Sequence, residues 1–137
     1  MQPDIIKAGA LILRNKKLLI VKPYKHDFWI FPGGKPEGEE ALEEALIREI
    51  HEEISVKTIG IPVQYSESPI EKAAGDPKER TCQIFAYLVD IDGEPVASAE
   101  IEMIHWLSRE EFEKDTFNLG SIMRDNTIPQ LIREGKM

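Results

Sequence analysis

An α/β fold with a mixed sheet between helices is predicted by three observations. Short apolar segments separated by turn residues recur along the chain, and one long stretch free of Gly and Pro is rich in helix formers. A second helical pattern occupies the C-terminal tail, so strands and helices are interleaved rather than segregated. At 137 residues the chain has the length of one domain, expected to span 1–137, with enough material for a real core.

Taken in order, Ile5–Leu13 and Leu18–Pro23 are apolar segments flanking the polar Arg14-Asn15-Lys16-Lys17, the pattern of a hairpin. Phe28-Trp29-Ile30-Phe31 predicts a further short strand, stopped by the breaker cluster Pro32-Gly33-Gly34. Glu39–Ile54 predicts the long helix. Val56–Ser68 reads as extended, interrupted by Gly60 and Pro62, and Ser68–Glu79 as a surface loop. Thr81–Asp90 is strongly β-like, Asp92-Gly93 has turn chemistry, and Glu100–Leu107 is another strand. Ser108 with Glu111 three residues on forms a capping box for a short helix. Pro129 limits how far one helix can run through the tail.

Composition excludes several classes of partner. Seventeen Lys and Arg against 25 Asp and Glu leave a net charge of −8, a field that repels nucleic-acid polymers and anionic membranes. A phosphate-bearing substrate therefore needs a local positive charge, and a bound cation would supply it. The single Cys82 cannot form an intrachain disulfide, no apolar run reaches membrane-spanning length, and no signal-peptide pattern is visible. The expectation is a cytoplasmic protein, monomer or homodimer, whose partner is a small molecule.

The chemistry concentrates in the long helix. Leu42, Leu46, Ile50 and Ile54 form an apolar stripe with Ala45 beside it. At about 100° per residue, with Glu49 at 0°, Leu42 falls near 20°, Ala45 near −40°, Glu53 near 40° and Glu52 near −60°. Three carboxylates thus continue the apolar side, while Glu40, Glu44 and His51 lie opposite. Such a cluster repels itself and loses hydration, unless a hard divalent cation reverses the sign.

From Gly34 to Val56 the chain reads GKPEGEEALEEALIREIHEEISV. With Gly34, Glu40 and Arg48-Glu49-Ile50-His51-Glu52-Glu53 at these offsets, it resembles the Nudix box, the signature of hydrolases that cleave nucleoside diphosphate linkages with divalent metal. The resemblance implies the α/β/α sandwich of that family and assigns Arg48, Glu49, Glu52 and Glu53 to catalysis. It makes Glu49, Glu52 and Glu53 ligands of Mg²⁺, with Mn²⁺ as a substitute, and Gly33, Gly34 and Glu40 structural parts of the box. The resemblance does not fix the proton acceptor, for which Glu52 is the first expectation and Glu49 the second. Glu100 or Glu102, ahead of Trp106, would be a fourth ligand or an alternative base. Ser55 stands where the family usually has glycine, which implies a different or strained helix exit.

The segment Trp29-Ile30-Phe31-Pro32-Gly33-Gly34-Lys35 further resembles MutT-type enzymes, which convert nucleoside triphosphates to monophosphates and pyrophosphate. Lys35 and Trp29 are then substrate-binding candidates, and Asn126 a candidate base reader. ADP-ribose or nucleotide-sugar pyrophosphatase is the enzymatic alternative, with Pro69 thirteen residues after Val56. A non-catalytic nucleotide sensor is the alternative of another class, opposed by the intact Arg48 and glutamates.

Overall fold

The computed structural model describes residues 2–137. Its centre is a mixed sheet in which β1 (Ile5–Leu11) runs parallel to β7 (Thr81–Asp92). β4 (Gly33–Gly34) pairs antiparallel with the other edge of β1, and β5 (Lys57–Glu67) with the far edge of β7. A smaller antiparallel sheet has the order β2 (Leu13–Arg14), β3 (Lys17–Pro23), β8 (Ile101–Leu107).

The period of two along each strand divides the core between the layers. Ala8, Ala10, Ile12, Leu19, Val21, Tyr87 and Val89 face α1 (Leu42–Ile54), where Leu46, Ile50 and Ile54 are fully buried. Leu11, Leu18, Ile20 and Ala86 face the other way and pack on Leu119, Met123, Ile128 and Leu131 from the C-terminal helical segment. Two helical layers enclosing the sheets are the expected α/β/α sandwich.

Several elements differ from the sequence reading. The hairpin turn is where expected, with Asn15 and Lys16 both at positive φ, yet the two apolar segments do not pair along their length. The chain breaks at Ile12: β1 belongs to the mixed sheet, and only its two-residue continuation joins β3. Phe28–Phe31 forms isolated bridges, Val21 to Ile30 and Trp29 to Leu119, rather than a strand, because its neighbours lie in different elements. The loop Ser68–Glu79 contains a short strand, β6 (Glu71–Lys72), on the end of β7.

The long helix begins three residues later than its composition suggested. Glu44 reaches back to the Ala41 N–H at 2.9 Å, half of a capping box, since alanine has no acceptor to return. Glu40 therefore sits outside the helix, free to turn toward it. At the other end Ser55 does adopt the left-handed conformation, φ 57°, and its hydroxyl meets that of Ser98 at 2.6 Å. Serine thus adopts the left-handed exit that glycine would ease, at the cost of local strain.

Ser108 caps α2 (Arg109–Glu113) with the full reciprocal box, as its spacing predicted. In the tail, Pro129 lacks the N–H that an α-turn would need. The preceding residues Met123–Thr127 widen into a π-turn before α3 (Ile128–Arg133), with the Ile128 N–H bonded to the Met123 carbonyl.

Candidate active site

Three carboxylates from two distant segments converge beside the glycine turn. Oxygens of Glu49, Glu53 and Glu100 lie within 4.8 Å of one another. Glu49 and Glu53 are placed by α1, one turn apart, and Glu100 by the residue immediately before β8. Glu53 is 4% exposed, continuing the apolar stripe as helical geometry requires.

The turn is shaped to meet them. The Gly33 N–H donates to Glu53 Oε1 at 2.9 Å, and a Cβ on Gly33 would stand 2.1 Å from the Ala8 carbonyl oxygen, so no other residue fits. At Gly34 a Cβ would come within 3.0 Å of the Glu49 carboxyl carbon. The two glycines bring backbone against carboxylate.

Arg48 fixes the other flank. Its Nε and Nη2 donate to both oxygens of Glu40 at 2.8 and 2.9 Å, while Nη1 donates to Glu49 at 2.6 Å and more distantly to Glu52 at 3.4 Å. This fork holds the Glu40 carboxyl down to about 2, helped by the Glu37 N–H. Arg48 thereby ties the box loop to the helix and one oxygen of Glu49 to a set direction.

Burial acts against ionisation where the carboxylates meet. It pushes Glu53 up to about 9, against the opposing Gly33 N–H and with the charges of Glu49 and Glu100 adding to it. Burial also raises Glu49, with Arg48 opposing. Three crowded carboxylates, all oxygen donors and two of them resisting ionisation without a partner, fit a hard divalent cation.

The cluster forms one wall of a cavity of about 640 Å³. Phe28, Ile30, Ile84 and Met123 supply apolar lining, and Lys7, Lys25, Lys35 and Lys72 bring ammonium groups to a chain of net negative charge. Among the described residues no helix is long and apolar enough to cross a membrane.

A description of the NUDIX domain matches residues 4–125. The chain belongs to the Nudix family. It is therefore a hydrolase of phosphoric anhydrides, in a family that generally uses a divalent metal. An 8-oxo-dGTP diphosphatase of Proteus vulgaris is 40% identical over 55 residues, 37% of this chain and 49% of that protein, so the match spans about half of that relative. A CTP pyrophosphohydrolase of Escherichia coli K12 is 31% identical over 108 residues, 75% of each chain. The crystal structure of a MutT protein from Methanosarcina mazei Go1 superposes with a TM-score of 0.76 at 23% identity, covering 99% of this chain and 98% of that one.

Within this Nudix site the sequence-derived candidates separate. Glu49 and Glu53 come together with Glu100, whereas Glu52 stands exposed on the flank and outside the cavity lining. Glu102 points elsewhere, paired with Lys22 at 2.7 Å. Lys35 lines the cavity. Trp29 does not: it is buried edge-to-face against Phe117 at a centroid distance of 5.4 Å. Asn126 is half-buried, donates to Glu71 at 3.0 Å and is outside the lining. Sequence reasoning missed Lys7 and Lys72. Lys7 had a signal, as the one charged residue inside an otherwise apolar strand.

Proposed function

We propose that this Nudix hydrolase converts a nucleoside triphosphate, canonical or modified, to the monophosphate and pyrophosphate, with Mg²⁺ held by Glu49, Glu53 and Glu100. The observation that carries the reading is the buried Glu53 carboxylate, clustered with two others on the wall of a lysine-bearing cavity. The names of the two relatives, an 8-oxo-dGTP diphosphatase and a CTP pyrophosphohydrolase, support a triphosphate substrate. When bound, the metal would neutralise phosphate charge and acidify water.

The chain's own residues do the rest. Lys35 and Lys7 line the cavity and would attract phosphate oxygens, and the apolar walls would exclude competing water. Glu49 accepts the proton of the attacking water. It reaches the cavity and has one oxygen oriented by Arg48, whereas Glu52 lies off the lining, which reverses the order expected from sequence.

Two measurements test this. Incubated with nucleoside triphosphates, ADP-ribose and nucleotide sugars, the protein is expected to release inorganic pyrophosphate from a triphosphate. Preferential formation of AMP and ribose phosphate from ADP-ribose would instead select the alternative pyrophosphatase. For the base, Glu49→Gln is expected to lower kcat roughly 10²–10⁴-fold and to remove the acidic limb of the kcat–pH profile, which loss of a metal ligand alone would leave in place. Glu52→Gln should cost at least about tenfold less; an equal loss would remove Glu49 from the role.

A further inference from the structure

The cavity is bridged, at the end away from the carboxylates, by the segment from β6 through Glu79. Strand register gives the separation. Gly34 pairs with Ala8 on β1, whereas β6 enters the sheet opposite Cys82, which in turn faces Ile5. Three residues along the strands, about 10 Å, combined with three strand spacings across the sheet, about 14 Å, place β6 roughly 17 Å from the glycine turn. That span leaves room for a nucleoside beyond a diphosphate held at Glu49 and Glu53.

The bridging segment is braced within itself and latched at two points. Inside it, Asp76 accepts from Arg80 Nε at 2.7 Å and from the Lys78 N–H at 3.0 Å, and the Ala73 N–H donates to the Arg80 carbonyl at 2.9 Å. At its base Glu71 accepts from Ser121 Oγ and from Asn126 Nδ2, both at 3.0 Å, which joins it to the π-turn segment across the cavity. At its tip Gly75, φ 72°, lies against His26 and Phe28, whose rings stack on each other at 4.7 Å. A Cβ on Gly75 would come within 2.9 Å of both rings, and φ there disfavours any side chain. His26, Phe28, Ala73 and Ala74 all line the cavity, so this contact closes it on that side.

We propose that the Gly75 contact with the His26–Phe28 stack, held in place by the Glu71 latch, is the specificity-determining closure of this cavity, setting the size of nucleobase that it accepts. The proposal rests on the triphosphate reading for its substrate class. A rigid closure rejects a base that is too large and leaves a small one poorly packed, whereas a loosened one treats bases more alike. Glu71 and Gly75 touch neither the carboxylates nor the glycine turn, so they act by shaping the nucleoside end.

The test compares wild type with Gly75→Ala and Glu71→Ala, which loosen the closure at opposite ends. Calorimetric binding of AMP, GMP, CMP and UMP is measured beside pyrophosphate release from the corresponding triphosphates. Wild type is expected to show a spread of affinities among the four bases, mirrored in KM, and each variant to compress it about tenfold, with kcat for the best substrate within about threefold. A variant that does not fold leaves the other to report. The proposal is overturned if wild type binds all four bases alike, or if folded variants keep the full spread. Failure of pyrophosphate release from every triphosphate would overturn the functional reading instead, and the monophosphate affinities would still decide the closure.

Discussion

Replacing Glu53 with glutamine is expected to lower kcat by roughly 10²–10⁴-fold at saturating Mg²⁺, since a metal's charge stabilisation is worth several kcal/mol. The substitution is nearly isosteric. The amide oxygen can still accept from the Gly33 N–H, so the glycine turn should persist. What disappears is the buried negative charge, and this has a second consequence for stability. In metal-free wild type the folded state holds a proton on Glu53 up to about pH 9, whereas the unfolded chain releases it near 4.5. Between these values the folded state binds more protons, so stability falls as pH rises. In chelator the thermal midpoint of wild type should therefore drop between pH 5.5 and 8.5, with Mg²⁺ restoring it. Glu53→Gln should flatten that slope and abolish the rescue by metal. A variant retaining wild-type turnover, or one still stabilised by Mg²⁺ to the wild-type extent, would remove Glu53 from the metal site.

That Glu53 could be singled out reflects how much of α1 was written in its periodicity. The stripe Leu42, Leu46, Ile50 and Ile54 aimed one face at the sheet, and a residue 40° from Glu49 on that face had to be buried or nearly so. The same geometry placed Glu52 at −60°, close to the boundary, where a helix wheel cannot decide between core and solvent. The decision came from Arg48, which draws Glu52 to the outer flank while holding Glu49 inward. Glu100 is separated from Glu53 by 46 intervening residues, and only the pairing of β8 with β3 brings it back. No local pattern distinguishes it from Glu102, which lies two residues on, on the same face by strand periodicity, and pairs with Lys22. Trp29 was legible as a large aromatic beside the turn. Its direction was not, because the parallel bridge to Leu119 that turns its backbone is a long-range contact. Short-range chemistry, such as the Ser108 cap or the turn at Asn15 and Lys16, read true for the opposite reason: its partners lie within three residues.

Arg48 shows how far the box depends on a residue that never enters the cavity lining. Arg48→Ala is expected to reduce activity about 10–100-fold, the range for a group that orients a ligand rather than serving as one. Its guanidinium makes a two-pronged contact with Glu40, and a third bond to Glu49, from a single plane. Lysine offers a point charge without that fork, so Arg48→Lys should recover little. The readout that separates orientation from general destabilisation is the pH dependence of kcat. Arg48 opposes the upward push of burial on Glu49, and without it the Glu49 carboxyl rises further. Because Glu49 must be ionised to accept a proton, the acidic limb of the profile should move to higher pH in Arg48→Ala. Loss of packing alone would lower the thermal midpoint and leave that limb in place. In Glu40→Gln the two-pronged contact weakens but the bond to Glu49 survives, so the midpoint should fall without a shift of the limb. An Arg48→Lys enzyme with wild-type kcat and an unmoved limb would show that charge near the helix suffices, and that the direction given to Glu49 is immaterial.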